Sequence, residues 1–334
     1  MSSLLGLILL SFALTAIFLV PFIDLLFFLK RKFQRFDIER KSETPIHDQL
    51  MKKDLKTPSG GGILLIIILC IVSILYAAFT LRDDLIKLSI LLFTLLSFGI
   101  VGAIDDIKLI LTQRRGKFFG LGRFQLLILQ TILALISAGM LYAWLGFNNL
   151  YVPLLGNFII NGWFIPLAAF VIVAFANAYN ISDGLDGLSA GLLLICLVAF
   201  LALASTGLDL TLASFIGIWI GTLLAFLYFN VYPARIFLGN GGAFAFGATL
   251  AVVGLMTGKI FALAIIGGMF VVIVASSLFQ ILFKLFFKSK LLAVSPIHMY
   301  FKYIGWEEPK IVARFYLAQA LFAILGLWIA LLSK

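Results

Sequence analysis

Charge is what this sequence has least of. Asp, Glu, Lys and Arg make up 12% of its 334 residues against 63% hydrophobic, and the mean hydropathy is +1.16. That balance excludes a soluble globular protein. Cysteine is nearly absent. Cys70 and Cys196 both fall in apolar runs, so no disulfide framework is implied. Histidine is equally scarce, with only His47 and His298. No repeat of fixed period and no low-complexity tract is present. The longest polar connections, 30–60 and 288–311, run to about 25 to 30 residues, too short for a soluble domain.

What the chain does have is apolar runs of about 20 residues, each long enough to cross roughly 30 Å of hydrocarbon. They are uninterrupted Leu, Ile and Phe stretches without the alternation of a barrel, which points to helices whose backbone bonds close internally. Ten spans are expected, near 3–29, 61–81, 86–104, 124–146, 163–179, 187–206, 209–229, 242–257, 259–287 and 312–332. The first apolar run, about 27 residues without a basic leader, is too long for a signal-peptide core and reads as a retained span. The run 259–287 would reach roughly 43 Å as one helix, so it is expected to tilt, bend or emerge. The fold class is therefore all-α, a polytopic membrane protein with a single transmembrane domain over 1–334.

Lys and Arg are unevenly placed. All of the 25 except Arg82, Lys87, Lys259 and Lys334 sit in or beside the loops 30–60, 105–123, 180–186, 230–241 and 288–311. The positive-inside rule makes those loops cytoplasmic and both termini extracytoplasmic. The same field would draw in an anionic cytosolic substrate.

The polar constellations gather at that cytoplasmic side. The densest runs from Asn177 to Leu188. On a helix, Asn177, Asn180, Asp183 and Asp186 would form one slowly drifting polar stripe, and Gly184 and Gly187 would let a ligand approach the backbone. Carboxylates at a bilayer edge are costly and suggest a site. The third span ends in Asp105-Asp106, and acid at a helix C-terminus is electrostatically unfavourable, which again favours a function. Adjacent aspartates point about 100° apart, so one can face a metal and the other a phosphate or a proton. Lys56 to Gly62 makes a tight turn that is either an anion nest or a flexible helix start. Arg114, Arg115, Lys117 and Arg123, set among glycines, suit a pyrophosphate, and topology accounts for them equally well. Arg235 to Gly242 is a polar, glycine-rich mouth, or simply an Asn-Gly turn. His298 faces the same side from the loop 288–311.

Together these segments resemble the polyprenyl-phosphate N-acetylhexosamine-1-phosphate transferases, and most closely the branch that handles phospho-N-acetylmuramoyl-pentapeptide. The resemblance spans the chain. It is carried by Thr57-Pro58 with Gly60 to Gly62, by Asp105-Asp106, by Asn177 to Leu188, by Phe237-Leu238-Gly239, and by Pro296-Ile297-His298 with Gly305-Trp306 and Glu308-Pro309. It implies transfer of phospho-N-acetylmuramoyl-pentapeptide from its UDP-activated form to undecaprenyl phosphate, giving lipid I and UMP, with Mg²⁺, in the cytoplasmic (inner) membrane of a bacterium building peptidoglycan. It further implies contact with membrane lipids, a homodimer and no nucleic acid.

The resemblance also implies residue roles. Asp105, Asp106, Asp183 and His298 would be catalytic. Asn177, Asn180, Gly184, Asp186, Phe237, Lys108 and Lys117 would bind substrate, with Phe237 stacking near the uracil. Asp105, Asp106 and position 240 would hold the metal. Three departures stand out. Asn240 replaces the family's metal-binding aspartate, His298-Met299-Tyr300 replaces a run of three histidines, and the lysine after the paired aspartates comes one residue sooner, at Lys108. Two alternatives stay open. One is a transferase of the same family for another UDP-N-acetylhexosamine, and the other is a non-catalytic binder of the carrier lipid or the nucleotide.

Overall fold

The computed structural model describes residues 2–33, 57–80, 85–113, 121–153 and 155–332. In chain order the helices are α1 (Ser2–Phe33), α2 (Gly61–Thr80), α3 (Leu85–Gln113) and α4 (Arg123–Leu145), followed by a hairpin of β1 (Asn149–Val152) and β2 (Gly156–Ile159). Then come α5 (Phe164–Ser182), α6 (Leu188–Thr206), α7 (Leu210–Asn230), α8 (Gly239–Met256), α9 (Ile260–Ile266), α10 (Gly268–Phe287), α11 (Ile297–Tyr303) and α12 (Glu308–Leu332). Among the described residues ten of these helices are long and apolar enough to cross a membrane. The chain is a multi-pass membrane protein. The antiparallel hairpin, with Val152 opposite Gly156, is a small β addition to the expected all-α chain.

Helix α8 is the hub. It is buried along nearly its whole length and is built mostly of glycine, alanine and other small residues. Within a bilayer, apolar surface gains nothing by hiding from lipid, so helices associate where small residues let their backbones come close. A Cβ added at Gly62 of α2 would collide with Gly242, one at Gly102 of α3 with the Asn240 backbone, and one at Gly247 of α8 with the Phe175 carbonyl of α5. Helices α2, α3 and α5 therefore all pack directly on α8. The same device joins α1 to α7, where Gly221 lies against Ile8 and Ser11.

Three boundaries differ from the sequence reading, each with a consequence for the site. First, α3 does not end at the paired aspartates but continues to Gln113, so Asp105 and Asp106 lie inside a helix rather than at its C-terminus. Second, α8 starts at Gly239, not at 242, which moves Asn240 from a connecting turn into the first helical turn. Gly239 has φ +82, a conformation that glycine adopts without strain. Third, the Asn177 to Asp186 stripe is not one helix. Helix α5 stops at Ser182, Asp183 is its C-cap, and Gly187, with φ +77, precedes α6.

The expected bend in 259–287 is present at Gly267, where α9 gives way to α10. A broken helix inside an apolar body must re-pair its freed backbone groups. Gln319 of α12 does this. Its Oε1 accepts from Met269 N at 3.1 Å, and its Nε2 donates to the Ile266 carbonyl. Beyond Ile273, α10 leaves the bundle and exposes a row of Leu, Ile and Phe side chains.

Candidate active site

At one face of the bundle, a cavity of about 300 Å³ is lined by Ser59, Asp106, Asn180, Asp183, Gly184, Leu185, Asp186, Phe237, Gly239 and Asn240. Its floor is a backbone knot. Gly60 N and Gly61 N donate to the Phe237 carbonyl at 3.1 and 2.9 Å, Gly62 N donates to the Leu238 carbonyl at 2.9 Å, and Phe237 N donates to the Pro58 carbonyl at 2.9 Å. The N–H groups of Gly60 to Gly62 are thus taken by carbonyls, and the anion-nest reading of this turn is withdrawn in favour of a structural one. The knot presents the Phe237 ring to the cavity and brings the start of α8 against α3.

The start of α8 meets the paired aspartates. Asp106 Oδ2 accepts from Gly241 N at 3.2 Å, so its carboxylate sits at the positive end of α8. Asp105 points elsewhere. Its Oδ1 accepts from Leu121 N at 2.5 Å and its Oδ2 from the Asn240 amide at 2.8 Å. The Asn240 carbonyl in turn accepts from Asn180 Nδ2 at 2.9 Å. Two adjacent carboxylates are thereby separated, as their helical angle requires, and only Asp106 reaches the cavity wall.

On the other wall, Asp183 Oδ1 accepts from the Ser189 hydroxyl at 2.5 Å. Burial pushes the Asp183 carboxyl up to about 6, with the Ser189 hydrogen bond opposing. Asp186 is committed to the scaffold: its Oδ2 accepts from Ala234 N at 2.8 Å, and its own N–H donates to Glu308 Oε1 at 2.7 Å. Glu308 is buried and pairs with Lys302 at 2.8 Å. These bonds tie the turn after α5, the loop after α7 and the start of α12 into one frame.

Four expected site residues stand off the cavity lining. Asn177 turns to α4, where its amide donates to Gln130 Oε1 and to the Val173 carbonyl, both at 2.8 Å. Asn177 lies a turn earlier on α5, where α4 packs against the helix and Gln130 is within reach. His298 is fully buried behind Gly184, where an added Cβ would lie 2.7 Å from its Nε2, so it backs the cavity wall. Asp105 is screened by Asn240, and Lys108 lies two residues beyond Asp106 on α3, outside the lining. Lys117 lies outside the described residues. Sequence reasoning missed Ser59 and Ser189 as site residues. No local pattern marks either, because each acquires its place from contacts across the fold.

Among the described residues, no three His, Cys, Asp or Glu side chains converge on a cation position. The cavity lining does carry three carboxylates, Asp106, Asp183 and Asp186, the last with one oxygen already bound to Ala234 N. Mg²⁺ commonly takes one or two carboxylates together with substrate phosphates, so these residues fit an ion that arrives with phosphate oxygens. With an aromatic residue, amides and glycine backbone beside them, the cavity suits a ligand that carries an aromatic group and brings a cation to the carboxylates.

Residues 88–258 match the model of glycosyl transferase family 4. The chain is 32% identical over 290 residues to a phospho-N-acetylmuramoyl-pentapeptide-transferase of Desulforapulum autotrophicum, covering 81% of this chain and 79% of that one. It is 34% identical over 284 residues to the enzyme of the same name from Oceanobacillus iheyensis, covering 84% and 86%. Against that of Halalkalibacterium halodurans it is 32% identical over 329 residues, covering 96% of both. On the strength of that likeness, the chain belongs to glycosyl transferase family 4 and, within it, to the phospho-N-acetylmuramoyl-pentapeptide-transferases.

Proposed function

We propose that this protein transfers phospho-N-acetylmuramoyl-pentapeptide from UDP to undecaprenyl phosphate in the bacterial cytoplasmic membrane, making the first lipid intermediate of peptidoglycan and releasing UMP. The cavity opens to the cytosol and both termini lie outside. The observation that carries the reading is the cavity itself. It sets Asp106, Asp183 and Asn180 beside the Phe237 ring at the end of a membrane-spanning bundle, where a water-soluble nucleotide and a lipid phosphate can both reach.

The residues divide the work as follows. Phe237 stacks on the uracil, and the open backbone at Gly184 and Gly239 admits the diphosphate. Asp106 takes the proton of the lipid phosphate, whose oxygen then attacks the donor's β-phosphorus and displaces UMP. Asp183, with Asp106 beside it, would hold a Mg²⁺ ion arriving with the nucleotide, and that ion would supply charge neutralisation. Asn177, Asp186 and His298 act from behind the wall by fixing α5, the turn after it and Gly184. A covalent phospho-sugar on Asp106 is the competing route, and a phosphorylated protein trapped in single turnover would exclude direct attack.

The test is lipid product formation by purified protein in detergent, with several UDP-N-acetylhexosamines in competition. Preference for the muramoyl-pentapeptide donor supports the assignment, and preference for another sugar moves the protein elsewhere in its family. A second reading is favoured by one observation. Asn240, with both ends of its amide hydrogen-bonded, stands where the family resemblance implies an aspartate, which would suit a binder of the nucleotide or carrier without turnover. Measurable turnover removes it.

A further inference from the structure

Asn240 is held from both ends. Its Nδ2 donates to Asp105 Oδ2 at 2.8 Å, and its Oδ1 accepts from Asn180 Nδ2 at 2.9 Å. A carboxylate has no proton to give, so Asp105 dictates which end of the amide faces it, and the Asn180 NH₂ completes the assignment. The other oxygen of Asp105 is taken by Leu121 N at 2.5 Å. Leu121, Asp105, Asn240 and Asn180 thus form a closed chain of hydrogen bonds that needs no cation. The backbone at 240 has nowhere to go, because Gly102 of α3 lies directly against it. An aspartate placed here would set two carboxylates at hydrogen-bond distance, an arrangement that requires a cation or a shared proton between them.

We propose that Asn240 is a positioning residue that replaces a carboxylate–cation–carboxylate bridge with a neutral one. The described residues therefore hold no resident divalent-cation site, and a cation is taken up there only together with a nucleotide pyrophosphate, on Asp106 and Asp183. The second half rests on the function proposed above. An ion that brings phosphate oxygens needs few protein ligands, whereas an ion bound alone needs several converging on one point, and among the described residues no three His, Cys, Asp or Glu side chains do so.

The experiment uses full-length protein in detergent with Mn²⁺ and UDP as probes, read by thermal midpoint and by electron paramagnetic resonance counting of Mn²⁺ retained on gel filtration. The native chain is expected to keep its midpoint and retain no Mn²⁺ with the metal alone. With UDP present it should retain one Mn²⁺ and gain more stability than UDP gives in EDTA. Asn240→Asp is expected to melt lower in EDTA and to recover with Mn²⁺ alone. Retention of Mn²⁺ by the native chain without UDP overturns the inference, and this arm needs no variant. An Asn240→Asp chain that folds but gains nothing from Mn²⁺ overturns the role given to residue 240. If UDP leaves the midpoint unmoved with or without Mn²⁺, the nucleotide reading itself falls, while the metal-alone arms still judge the amide bridge.

Discussion

Asp183 and Asp186 are three residues apart and both line the cavity, yet the second also holds Ala234 N and, through its own amide, Glu308. Their difference sets a pH prediction. Asp183 is useful to a cation or as a proton acceptor only when ionised, and burial raises its carboxyl to about 6. Turnover should therefore fall as pH drops through about 6, and Asp183→Asn should lower kcat by on the order of 100-fold and alter the shape of that acid limb, Asp106 remaining as the other carboxylate that must be ionised. Stability should move the other way. The folded state holds this proton more tightly than the unfolded chain, whose carboxyl titrates near 4, so the Asp183 contribution weakens stability as pH rises from about 4 to about 6. A kcat–pH profile beside a melting–pH profile, native against Asp183→Asn, checks both signs.

At the scale of elements, glycines decide where helices can touch. A Cβ at Gly102 would run into the Asn240 backbone and drive α3 from α8, separating Asp106 from Gly241 N. Gly102→Ala should lower kcat by on the order of 100-fold, since displacement by about an ångström is enough. Gly139→Ala on α4, with nothing within 4 Å of the new atom, should leave kcat unchanged. The break between α9 and α10 rests on a polar device instead. Gln319→Leu strands Met269 N in an apolar interior, at about 1 to 3 kcal/mol, leaves the Ile266 carbonyl only the weak Cys196 thiol as donor, and should lower the thermal midpoint by several degrees. An unchanged midpoint would mean that the break is held by packing alone.

At the scale of the molecule, the basic side chains collect at the face that carries the cavity. Lys284, Lys288, Lys290, Lys302, Lys310 and Arg314 flank α10 to α12 there, and Arg314 lies 4.3 Å over the Trp306 ring. The β1–β2 hairpin lies in the connection opposite. The proposed orientation therefore predicts that Leu155→Cys in the hairpin is labelled on intact cells by a membrane-impermeant maleimide. Lys290→Cys should be labelled only after permeabilisation. The reverse pattern would invert the molecule. Cys70 and Cys196 are buried and should stay silent in both.

How much of this the residues announced depended on the range of the force involved. The ten apolar runs, their lengths and the uneven placement of Lys and Arg follow from the cost of moving side chains into hydrocarbon, a property each segment carries alone, so span number and the polar face were readable directly. That 259–287 could not run straight across was readable too, from length against bilayer thickness, but the break at Gly267 came only with the fold. The site was legible as a set of segments, because aspartates, asparagines and glycines at a bilayer edge are costly wherever they sit. Which of them face one another was not. Asp105 and Asp106 are adjacent in sequence, but only the tertiary fold sends one to Leu121 and Asn240 and the other to the cavity. Ser189 joined Asp183, Asn177 left for Gln130, and Glu308 reached Asp186 across 122 residues for the same reason. Hydrogen bonds are short-ranged and directional, so their partners are chosen by how close the glycine-lined backbones of α2, α3, α5 and α8 allow the helix ends to come, and that closeness exists only once the helices are packed.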